Sequence, residues 1–175
     1  MKALYNAVLN QLNTKVPELK MIDFDLGQLA QLELPSLNYP AALIRIDIND
    51  LVDLGQRLQQ GTAIISITLV FRTFERTHSI ATAEFRAKGL EHLDIIDKVK
   101  WAIHSLAGAT FSPINHRATT SADRVELRAY PMIFDTLIYE NPPADQVTHV
   151  PWTEAGGVAP GPDICLEDEN QNLLS

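Results

Sequence analysis

The sequence predicts an α/β (α+β) domain over residues 1–140, followed by an extended acidic Pro/Gly-rich arm over 141–175. Three observations carry this. Two segments repeat their apolar residues at helical spacing, three alternate apolar and polar residues as strands do, and both patterns stop at Glu140. The 175 residues suit one domain, and 46% hydrophobic with 21% charged residues is ordinary globular composition. Mean hydropathy is −0.03, and no apolar run approaches the roughly 20 residues of a membrane-spanning helix.

The first helix is expected over Lys2–Lys15. Leu4, Val8 and Leu12 recur every four residues, Tyr5 and Leu9 widen the stripe, and Pro17 stops it. Met21 to Tyr39 has no clear period and reads as an extended connector with a short edge strand near Met21–Leu26. Ala42–Ile48 alternates cleanly, with Ile44, Ile46 and Ile48 on one side and Arg45 and Asp47 on the other. Thr62–Phe74 repeats that pattern through Ile65, Ile67, Leu69 and Phe71. Between them, Asn49–Gln60 reads as a polar, flexible loop, longer than a tight hairpin needs, with Gly61 letting the chain turn.

Thr77–Leu106 reads as helix, its stripe formed by Leu93, Ile96, Val99, Ile103 and Leu106. Gly89 is a candidate break and Gly108 the stop. Phe111–Ala122 is a polar loop or weak strand. The last strand is expected from about Arg124 to Tyr139, broken at Pro131 by a bulge or an edge position.

Charge divides the chain. The net charge is −8, but residues from Asn141 onward hold Asp145, Glu154, Asp163, Glu167, Asp168 and Glu169 with no Lys or Arg. Residues 1–140 are left with 16 acids and 14 bases. Five of the ten prolines and three of the eight glycines lie in the arm, a composition that closes no core of its own. Neither part has the basic run that displaces counterions from phosphates, so a nucleic-acid-binding module is not expected. The start of the chain lacks the apolar stretch of a secretory signal, and the single cysteine, Cys165, permits no internal disulfide. A reducing cytoplasm is the expected place of folding.

The sequence offers no catalytic constellation, and no enzyme activity or cofactor is expected. The five histidines, His78, His92, His104, His116 and His149, form no pair at metal-ligand spacing and read most simply as surface or boundary residues. Asp47, Asn49, Asp50 and Asp53 approach a calcium-loop pattern, but Leu51 and Val52 stand where an oxygen ligand and a glycine are required. No metal site is expected. No glycine-rich phosphate loop or nucleophile elbow is present, and the acids around Cys165 would raise its thiol pKa.

The order helix, strand pair, helix, long strand, acidic arm resembles the tail terminator proteins of tailed bacteriophages, of the lambda and Mu-prophage types. The likeness lies in Ala3–Leu12, Met21–Gln28 (MIDFDLGQ), Tyr39–Ile48 (YPAALIRIDI), Gly61–Phe74 (GTAIISITLVFRTF) and Asp123–Tyr139, over residues 1–140. It is one of pattern and order, without a diagnostic motif.

The resemblance implies a single domain whose twisted, mainly antiparallel sheet packs its two main helices on one face. It implies a homohexameric ring that caps the tail tube, stops its polymerisation and presents a surface for head joining. Implied partners are the ring's own copies, the tail tube protein, a head–tail connector or completion protein, and a tail sheath. DNA would pass through the lumen without specific binding, and no membrane is involved. Such a protein belongs to the tail or neck of the virion and is assembled in the host cytoplasm.

Candidate interface residues are Asn49, Asp50, Asp53, Gln56, Arg57 and Gln59 in the first long loop, and His116 and Arg117 in the second. Trp152 would anchor the arm on a neighbour, as aromatic residues dominate interface energetics. Another neck component, a head-completion or tail-completion connector, stays open, as does a small-ligand-binding module or enzyme.

Overall fold

A computed structural model describes residues 1–30, 37–55, 58–72, 82–122 and 127–140, all within one compact unit, Met1–Asn141. The arm, and with it Trp152, lies outside the described residues.

Helix α1 spans Lys2–Lys15 and buries Leu4, Val8 and Leu12, the residues its four-residue spacing singles out. It ends where the Val16 N–H donates to the Leu12 carbonyl at 2.9 Å, one residue before Pro17. Strand β1, Met21–Phe24, follows, then a short 3-10 turn at Gln28–Ala30, then β2 at Ala41–Asp53 and β3 at Gln59–Phe71. Helix α2 covers Ala83–Ile103, β4 Asn115–Thr119 and β5 Arg128–Glu140.

The sheet order is β1-β2-β3-β5-β4. Every pairing is antiparallel except β1 with β2. One face carries Ala42, Ile44, Ile65, Ile67, Leu69, Met132, Phe134 and Ile138, and against it lie Leu4, Val8 and Leu12 of α1 with Ile96, Val99 and Ile103 of α2. Each fully buried aliphatic side chain of this kind contributes about 1.5–3 kcal/mol. On the opposite face a smaller cluster of Ala41, Leu43, Val70 and Leu127 is packed by Met21, Leu29, Leu37 and Tyr39.

This is the expected α+β architecture of a mainly antiparallel sheet with two helices. Several elements differ from their sequence reading. The 49–60 segment is no loop: β2 continues to Asp53 and β3 begins at Gln59, leaving a turn of only a few residues. A bulge between Asn49 and Val52 adds one residue to β2, with Asp50 in the left-handed region at φ 54, a conformation aspartate tolerates better than most. The extra residue reverses the strand's phase, which hides the continuation from a test for alternation.

Gly61 does not turn the chain. It lies within β3, where a Cβ would come 2.8 Å from Leu51 Cδ2 and 3.2 Å from the Asn49 carbonyl. The Leu51 side chain and, behind it, the Asn49 carbonyl of the bulge sit where a side chain would go. Gly61→Ala is expected to cost about 1–3 kcal/mol as an overpacking change, read as a lower urea midpoint with an unchanged slope.

The second helix runs through Gly89 without a break. Thr82 caps it, its hydroxyl accepting the Phe85 N–H at 3.4 Å, while residues 77–81 lie outside the described set. It stops at His104, with Ser105 at φ 66, before Gly108 is reached. Gly108 instead lies beneath Phe111, whose ring a Cβ would meet at 2.4 Å. Leu93 does not join the buried stripe: it is exposed, and His92 takes the inward place.

Pro131 does not break β5, which pairs with β3 from Gln59↔Glu140 to Phe71↔Arg128 without interruption. Its cost falls on the other side. Thr120 N–H donates to the Pro131 carbonyl at 3.0 Å, and proline has no N–H to return the bond. The regular ladder of β4 accordingly ends at Thr119.

Candidate assembly surface

The β2–β3 hairpin and β4 hold the described candidates, and the fold keeps the two groups apart. Asn49 pairs with Thr62 as the last regular residue before the bulge, Asp50 lies in the bulge, and Asp53 pairs with Gln59. Gln59 is also registered with Glu140 of β5. Gln56 and Arg57 lie outside the described residues. The turn is tied by Asp53 Oδ1, which accepts the Gly55 N–H at 2.8 Å, and by Leu54 N–H donating to the Leu58 carbonyl at 2.8 Å. Gly55, at φ 88, supplies the left-handed turn.

His116 and Arg117 lie on the edge strand β4, with β5 between them and the hairpin. Arg117 occupies a register shift in β4 and reaches Asp135 of β5, Nη2 to Oδ2 at 2.5 Å. His116 Nε2 meets Thr119 Oγ1 at 2.8 Å, and its ring sits edge-on to Phe134 at 5.2 Å. Burial, and then the nearby positive charge of Lys100, hold its imidazole below the ordinary histidine value.

The unfolded chain takes up a proton as pH falls through about 6.5, the folded His116 only at lower pH, so this group costs stability over that window. His116→Gln should therefore lose less stability than the parent between pH 7.5 and 5.5, read by thermal unfolding at both values.

Apolar surface at the hairpin end is what the sequence reading missed. Leu51, Val52 and Leu54 are 52%, 56% and 51% exposed, interleaved with Asp50 and Asp53. Their signal is present in the sequence as three large aliphatic residues inside a segment otherwise read as polar. A second apolar position is Trp101, 65% exposed with Lys100 Nζ 5.1 Å from its ring centroid. Successive 100° steps put Trp101 with Leu90, Asp94 and Asp97 on the side of α2 away from Ile96 and Val99. It borders a groove of about 560 Å³ between the helices, lined by Gln11, Lys15, Asp94, Asp97 and Lys98 among others. Lys98 also bonds Glu18, each holding the other in its charged form.

Among the described residues no group of three or more His, Cys, Asp or Glu is placed to hold a metal ion, and no helix is long and apolar enough to cross a membrane. What the arrangement offers chemically is contact surface: a hydrogen-bonded turn at the end of the sheet, where β5 flanks β3 as far as Gln59, with apolar side chains and acidic neighbours. No protein family matches the chain, and neither does any curated protein. Among solved structures it is similar to a chain of the virion of a native gene transfer agent particle. The TM-score is 0.46 at 10% identity, over 77% of this chain and 93% of that one.

Proposed function

We propose that the chain is a structural protein of a phage-like virion and, within it, a tail terminator: a ring-forming cap that ends tail-tube polymerisation and offers the head its joining surface. The observation that carries this reading is the hairpin. Val52 and Leu54 are held out by a hydrogen-bonded β-turn and a bulge rather than folded back onto the core, beside a half-exposed Leu51 that lies over Gly61. Preformed apolar projections rimmed by charge are suited to association, because little chain entropy remains to be lost on docking. The order of elements and the segments cited for the resemblance supply the narrower assignment.

In this reading the chain catalyses nothing and needs no cofactor. It works by geometry: copies join head to tail until the ring closes, and the face turned away from the tube no longer copies the tube's own binding face. The tube protein meets the hairpin end, a connector or completion protein meets the other face, and a sheath surrounds the ring. The negative charge of the chain keeps passing DNA from adhering. The protein resides in the tail or neck after assembly in the host cytoplasm.

The test is particle mass by light scattering, alone and with purified tail tubes. The expected result is a ring-sized species, or a monomer that assembles on tube ends and halts their growth. A chain that stays monomeric and leaves tube length unchanged overturns the reading. Binding to portal rings instead of tubes would place it at another level of the neck.

A further inference from the structure

Among the described residues the five-stranded sheet has two edges without a partner strand. β1 registers with β2 only from Ala41 to Ile44, and the last bond on that side runs from the Asp25 N–H to the Ile44 carbonyl at 2.9 Å. Residues two apart in a strand direct their N–H and C=O groups the same way. Ile46 and Ile48 therefore turn theirs outward along the edge that β1 leaves open, and no described residue pairs with that edge. Between the end of β1 and the bulge neither proline nor lysine interrupts this stretch, and the blunting that natural sheets give an open edge comes only at the bulge between Asn49 and Val52.

At the other end of the sheet, β4 is covered only where it begins. The His116 N–H donates to His104 Nδ1 at 3.4 Å, and the Ile114 N–H to the Leu106 carbonyl at 2.9 Å. Among the described residues no strand pairs with the outer side of β4 from Arg117 to Thr119.

One edge is acidic and the other is not. Along the open part of β2 lie Asp47, Asp50 and Asp53, all exposed, while its one cation, Arg45, is paired with Asp25 at 3.4 Å. β4 reads Asn-His-Arg-Ala-Thr, with no acid; its one arginine, Arg117, is paired with Asp135, and the further cation beside this edge is Lys100, near enough to His116 to lower its proton affinity.

We infer that the distal edge of β2 in one copy pairs with β4 of the next copy, so that the sheet continues across the boundary between subunits. The contact uses two different surfaces, so it repeats head to tail and closes into a ring when the rotation allows. Pairing β2 with β2 would bring like charges together across the strands, which is unfavourable. This inference rests on the self-associating part of the proposed function and is independent of tube capping.

Cysteine cross-linking of the full chain in a Cys165→Ser background tests it. Asn49 and Ala118 are both exposed and both face away from the helices, so Asn49→Cys with Ala118→Cys is the first pair. Asp47→Cys with Ala118→Cys is the second, covering a register shift of two. Lys15→Cys with Ala118→Cys is the control, and circular dichroism checks the fold of each.

On mild oxidation the edge pairs should give a ladder of covalent multimers up to the mass seen by light scattering, and the control pair should not. A ring-sized particle whose edge pairs cross-link no more than the control overturns the inference and leaves the ring standing. Covalent dimers from Asn49→Cys alone also overturn it, by showing β2 against β2. A strictly monomeric chain overturns both the edge contact and the self-association it rests on.

Discussion

A chain carrying Val52→Ser and Leu54→Ser should fold as the parent does and lose its grip on tube ends. Both side chains are more than half exposed, so the folded domain gives up little, about 0.5 kcal/mol or less per site. The few side chains that dominate an interface cost about 2 kcal/mol or more each when truncated, about 30-fold in affinity, and a hairpin that anchors the contact should lose affinity on that order. A ring repeats the loss in every copy. The measurement pairs a thermal melt with tube-length distributions after mixing. An unchanged melt with uncapped tubes is the expected result, whereas normal capping by the variant removes the hairpin from the tube contact. Leu51 is left in place because its side chain packs over Gly61 and serves the hairpin itself.

Phe134→Ala should be the most damaging single change among the described residues. The side chain is fully buried in β5 within the core that both helices cover, and truncating such a residue costs about 3–5 kcal/mol. Against a domain stability of about 5–15 kcal/mol, that is enough to bring the chain close to unfolding. Leu137, three residues on, lies on the opposite face and is 39% exposed, so Leu137→Ala should cost about 1 kcal/mol or less. Urea midpoints of the two variants measure the contrast. Equal losses would mean that the face of β5 without the helices is as tightly packed as the face with them.

The elements that could be read from the residues are those whose period runs unbroken against one core. Leu4, Val8 and Leu12 determine α1 because a helix face every four residues has no other use for that spacing, and Ile65, Ile67 and Leu69 determine β3 by the same logic at a period of two. The α+β class follows from such segments alone, as does the absence of a familiar catalytic motif. The candidate residues on the hairpin were also legible as a group, because Asn49, Asp50, Asp53 and Gln59 are close in sequence and remain close in the fold.

Tertiary structure decided the rest. The inserted residue at Asp50 and Leu51 changes which way each later side chain points, so the continuation of β2 is stabilised by its partner β3 rather than by its own alternation. Ser105 ends α2 because the chain must turn there for its N–H to reach the Ile114 carbonyl at 2.7 Å, a demand that residue type alone does not announce. Pro131 sits inside the sheet because the bond it cannot make belongs to the side where β4 is running out. The order β1-β2-β3-β5-β4 alone sets His116 and Arg117 on an edge strand that β5 separates from the hairpin. Strand order is chosen by which faces and edges fit together across the whole chain, and local periodicity carries no record of that choice.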